Sequence, residues 1–168
     1  MNAAVWFGGA VFFTVAAAPA LFSDDMKHLL GASNYAYFSG AAVQILLSRY
    51  FCFQTVCGVI ALLHLLIERL YLGHSARKLA VGLAAGLLAL ALVGGNWLEP
   101  RLSNLHTIHY TRNAPQTERD SAARSFHAWH LVSEALTVLT IGGVAVFLWS
   151  LVNPRDMTRF VPSVKFRG

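Results

Sequence analysis

Four apolar blocks fill most of the chain, at about residues 2–22, 51–72, 79–98 and 129–152. Each reaches the roughly 20 residues that an α-helix needs to cross a hydrocarbon core about 30 Å thick. A soluble domain would interrupt blocks of this length with a polar helix face. Composition agrees: 56% of the residues are hydrophobic and 12% charged, and the mean hydropathy is +0.53. The expected fold is all-α: one transmembrane domain over residues 1–168, an antiparallel four-helix bundle within a lipid bilayer.

The net charge of +5 does not point to nucleic acid. The cations are scattered over the connections, without a basic, aromatic-laced patch. Juxtamembrane Lys and Arg instead reflect topology and anionic headgroups. With an even number of spans, one side carries Arg69, Arg77, Lys78, Arg155, Arg159, Lys165 and Arg167. The other carries Lys27, Arg49, Arg101, Arg112, Arg119 and Arg124. The margin of one tilts toward both termini in the cytoplasm. The start Met1-Asn2-Ala3-Ala4 lacks the positive region of a secretory signal, so the first block is expected to be retained as a span. Cys52 and Cys57 project about 140° apart on a helix and are expected to be packing residues.

Local features refine this outline. Pro19 suits the end of span 1, and Ser23-Asp24-Asp25 marks its exit into water. Residues 40–51 are apolar but broken by Gln44, Ser48 and Arg49, which fits an interfacial segment or an early extension of span 2. Span 3 holds Gly82-x-x-x-Gly86 and Gly94-Gly95, faces suited to close helix packing. Its helix is expected to continue to Tyr110 with a kink near Pro100. After a turn at 112–120, Asn113 or Thr117 is suited to cap span 4, so spans 3 and 4 form a hairpin that projects beyond the bilayer.

Histidines concentrate on that hairpin. His106 and His109 are three apart, as are His127 and His130, and Glu134 follows His130 by four. His127, His130 and Glu134 fall within about 60° of one helix face. Hairpin register brings Glu99 to the same level. Imidazoles and carboxylates on facing bundle helices can hold a metal, and two histidines can ligate haem axially. The metal candidates are therefore His130, Glu134, Glu99 and His127. The competing reading is polar glue: a His130–Glu134 hydrogen bond, Glu99 paired with Arg101 or Arg124, and His106 and His109 in water. Glu99 and His130 are expected on one side, facing the interior. His64 and Glu68, four apart in span 2, are expected to form an internally satisfied pair. No nucleophile elbow, phosphate loop or HExxH occurs.

Gly8-Gly9-x-x-Phe12-Phe13 with Ala18-Pro19-x-Leu21-Phe22 resembles the first-span signature of small bacterial membrane proteins of unknown function. Their animal relative is transmembrane protein two-hundred-and-five. Gln44 through Tyr50-Phe51 is similar to that family's approach to span 2. Trp97-Leu98-Glu99-Pro100-Arg101 resembles the end of its span 3, and Phe126-x-x-x-His130-x-x-Ser133 the opening of its span 4. The resemblance implies a four-span bundle and singles out Glu99, Arg101, His130 and Ser133; Glu134 departs from it. It also looks distantly akin to copper-resistance D-type proteins and to a haem-containing protoporphyrinogen oxidase, which raises copper or haem b by analogy. The expected function is a non-catalytic integral protein of the bacterial inner membrane, an accessory or structural subunit alongside other membrane-protein subunits. The alternative is a haem- or copper-binding protein with a redox or transport role.

Overall fold

A computed structural model describes residues 1–72, 78–111 and 115–153. The described chain is helical: α1 (Asn2–Phe12), α2 (Ala18–Leu21), α3 (Asp24–Leu30), α4 (Ala32–Leu72), α5 (Lys78–Val93), α6 (Glu99–Tyr110) and α7 (Gln116–Val152). Single π-helical turns, Phe13–Ala17 and Gly94–Leu98, join α1 to α2 and α5 to α6. Four helical stretches are long and apolar enough to cross a membrane: Asn2–Leu21, Ala32–Tyr71, Lys78–Tyr110 and Gln116–Val152. They overlap the four apolar blocks, and the last three run well beyond them.

Both π turns have the same cause. Pro19 and Pro100 stand in the first turn of the segments that follow. Proline has no N–H and its ring crowds the carbonyl four residues back. Widening the preceding turn relieves that clash without ending the helix. Pro19 therefore does not stop the first helix, which continues to Leu21. As expected, the third helix passes Pro100 and reaches Tyr110.

After Leu21 the chain turns through α3. Ser23 caps it by accepting a hydrogen bond from the Met26 N–H, Asp24 and Asp25 occupy its first turn, and Gly31 ends it at φ 74°. Residues 40–51 are not a separate interfacial segment. They belong to α4, a continuous 41-residue helix about 62 Å long at 1.5 Å per residue. No proline interrupts 32–72, and Gly40 is held against the His106 ring. α7 starts after Pro115 with no side-chain cap, so Thr117 lies inside its first turn. Asn113, Arg112, Arg77, Arg155, Arg159, Lys165 and Arg167 lie outside the described residues.

Two apolar clusters hold the helices together. In the first, Trp6 of α1 is fully buried among Ala61, Ala84 and Phe147. Its indole N–H donates to the Gln54 side-chain carbonyl, and Asn2 Nδ2 donates to the Cys57 carbonyl at 2.9 Å. In the second, Ala10, Leu47, Tyr50, Phe51, Leu98 and Leu102 pack together. Gly94 is required there, because a Cβ at that position would collide with the Phe51 ring. The Gly82/Gly86 face meets nothing within 4 Å among the described residues, so no described helix packs closely on this GxxxG pair. Both cysteines are free, Cys52 exposed and Cys57 buried.

Candidate functional site: an interhelical groove lined by histidines

A groove of about 780 Å³ opens between α1–α2, α4, α6 and α7. That size lies within the range of small-molecule sites, roughly 300–1,000 Å³. Phe13, Thr14, Pro19 and Phe22 form the first wall, and Gly40, Val43, Gln44 and Leu47 the second. Leu102, His106, His109 and Tyr110 form the third, and Phe126, His127, His130, Ser133, Glu134 and Thr137 line the fourth. The period of α6 explains its contribution: Leu102, His106 and Tyr110 recur every four residues and share one face.

His106 is the least expected member. The reading that left it in water is corrected by its burial: it is 6% exposed. Its ring stacks on Tyr37 at 5.7 Å and 24°, and contacts Tyr110 at 4.8 Å and Phe126 at 6.0 Å. Its Nε2 abuts Gly40, where any Cβ would collide. That nitrogen has no hydrogen-bond partner among the described residues, and neither has Gln44 Nε2 on the adjoining wall. The one sequence signal for His106 was its place in the Leu102–His106–Tyr110 stripe.

His130 and Glu134 pair as expected, Nε2 to Oε1 at 3.3 Å, with side chains 44% and 61% exposed. Phe126 stacks on His130 at 5.9 Å and 9°. It thus contacts both the His106 and the His130 ring. Ser133 is buried beside them, and its backbone carbonyl accepts from the Thr137 hydroxyl. His127 is exposed at the wall. His109 closes the hairpin end: Arg119 Nε donates to its carbonyl at 3.1 Å, and His109 Nδ1 lies 3.3 Å from the Arg119 carbonyl.

The remaining sequence candidates lie elsewhere. Glu99 is partly buried and is not part of the groove wall. It forms no ion pair with Arg101 or Arg124 among the described residues. Arg101 instead lies over two indoles, 5.5 Å from the Trp97 ring and 5.0 Å from that of Trp129. Those indoles meet edge to face at 5.0 Å. A guanidinium held this way stabilises by about 0.5–2 kcal/mol. His64 and Glu68 are both exposed and unpaired among the described residues, so the expected internal pair does not form. Four positions apart puts two side chains on one face, but pairing also requires the rotamers to converge.

Among the described residues, no three His, Cys, Asp or Glu side chains converge as metal ligands.

A family described as a domain of unknown function (DUF4149) matches residues 1–111. The match covers α1 to α6 and leaves α7, with His127, His130, Ser133 and Glu134, outside it. It agrees with a small uncharacterised membrane family; it does not name the transmembrane protein two-hundred-and-five-like family. No curated protein and no solved structure matches the chain.

Proposed function

Because the chain belongs to the DUF4149 family, whose function is unknown, we propose a role from its geometry: a non-catalytic integral membrane protein that holds an amphiphilic small molecule in the groove. The groove itself supports this reading, since it is roomy, mostly apolar and flanked by a few polar groups. In this reading the helices form an antiparallel up-down bundle in the bacterial inner membrane, with both termini cytoplasmic. The test is organic extraction and mass spectrometry of the protein purified in mild detergent. An amphiphile at about one per chain is expected, and Ala123→Trp, which fills the wall, should deplete it. Equal amphiphile content in both proteins would refute the groove as its site.

The accessory-subunit reading has its own support. The Gly82/Gly86 face of α5 is exposed and meets nothing among the described residues, and such faces let transmembrane helices approach closely. Native mass measurement distinguishes it: a lone chain argues against a stable assembly. Haem b or copper remains the third reading, by kinship to the transmembrane protein two-hundred-and-five-like and copper-resistance D-type families. A visible spectrum with metal analysis decides it.

A further inference from the structure

Arg101 is exposed, yet its side chain is held in place. The guanidinium lies over the Trp97 and Trp129 rings, 5.5 and 5.0 Å from their centroids. The two indoles brace each other edge to face at 5.0 Å. Contacts of this kind use the ring faces and consume no N–H donor. Among the described residues the guanidinium has no ion pair and no hydrogen bond. Glu99, two residues earlier, projects about 160° away around the helix. The site is therefore a fixed, accessible positive charge with its donors unspent.

Its level selects the partner. The apolar block of span 3 ends at Leu98, and indoles favour the boundary between hydrocarbon and headgroups. Lipid phosphates lie at that boundary, and the fork of a guanidinium matches two phosphate oxygens. A monoanionic head neutralises Arg101. A zwitterionic head also brings an ammonium, for which the cluster offers no carboxylate. A snorkelling arginine gives up rotamer freedom on binding, whereas one already resting on two indoles has less to lose.

We propose that Trp97, Arg101 and Trp129 form a headgroup site for an anionic phospholipid, separate from the groove, with the lipid phosphate bound by the Arg101 guanidinium.

Arg49 supplies the contrast. Gly58 lies against Leu88, and Phe51 against Gly94 and Gly95, so Arg49 stands near the level of Trp97 on the neighbouring helix. It is exposed and lies over no aromatic ring among the described residues.

The site carries its own reporters. Of the four tryptophans, Trp6 is fully buried, and Trp149→Phe removes the exposed indole outside the cluster. The full chain with that change is reconstituted in phosphatidylcholine bilayers. Quenching of its fluorescence by brominated phosphatidylglycerol is compared with quenching by brominated phosphatidylcholine. Phosphatidylglycerol should compete about fivefold better, the contribution of one arginine at an anionic surface. Arg101→Gln should abolish the preference and leave quenching by brominated phosphatidylcholine unchanged, which shows the indoles still in place. Arg49→Gln should retain the preference. Equal quenching by the two lipids with Arg101 present would overturn the proposal. So would a preference that survives Arg101→Gln, or one that Arg49→Gln removes as fully, since general surface charge then accounts for it. Inorganic phosphate that abolishes the preference, where chloride at the same ionic strength does not, would overturn the lipid in favour of free phosphate.

Discussion

Trp6 and Gln54 show how much one residue pair decides inside an apolar bundle. Both are essentially fully buried, and the indole N–H has the Gln54 carbonyl as its acceptor. Gln54→Leu should therefore lower unfolding stability by about 1–3 kcal/mol, the cost of a buried donor left unpaired. Adding Trp6→Phe to that variant removes the orphaned donor and should recover part of the loss, which a double-mutant cycle in detergent measures. Polar detail of this kind was only partly legible in the sequence. The His130–Glu134 spacing predicted their contact because four residues bring side chains together on a helix. The Leu102–His106–Tyr110 stripe hinted at an inward face, but how deeply His106 is buried was not legible, since that depends on Gly40, 66 positions away in sequence, lying against its ring. Glu99 missed the cluster for a similar reason. Height along a hairpin follows from counting residues, but the face a side chain takes does not.

At the scale of helices, the apolar blocks located the four long elements, because block length is the property a bilayer selects. What the blocks could not reveal is how far each helix continues into polar sequence. α4 starts at Ala32 and α7 at Gln116, since no residue between there and the apolar block breaks the helix. The π turns were foreshadowed by Pro19 and Pro100, though only as an end and a kink. Glycines in α5 and the turn after it separate into two kinds. Gly94→Ala should destabilise, because its Cβ meets the Phe51 ring, which is held in the second cluster. Gly82→Ala meets open space and should be neutral or stabilising by up to about 1 kcal/mol, as Ala is the better helix former. Thermal midpoints of the two variants, compared in one detergent, check the contrast. A larger loss at Gly82 would instead indicate a partner on that face.

For the whole molecule, helix length sets the relation to the bilayer. α4 has 41 residues, α7 has 37, and the third stretch, Lys78–Tyr110, has 33, against roughly 20 for one crossing. Tilt absorbs only a few residues, so the excess must leave the hydrocarbon. Trp97, Trp129 and Arg101 meet at one level, and such residues favour the headgroup boundary. Everything on the α6 side of that level should then stand outside the membrane on one side: the start of α4, α6 and the start of α7. The exposed positions Asn34, Asn104 and Asp120 sample these three pieces, and exposed Tyr71 samples the far end of α4. In a background with Cys52 and Cys57 replaced by Ala, single cysteines at Asn34, Asn104 and Asp120 should react with an impermeant maleimide from the same face of sealed vesicles. Cysteine at Tyr71 should react only from the opposite face. Four crossings require both results, because α4 passes the bilayer once between Asn34 and Tyr71, while Asn104 and Asp120 flank a connection that does not cross. Labelling of Tyr71 from the same face as Asn34 would mean that α4 lies along the membrane, and the four-span architecture would have to be abandoned.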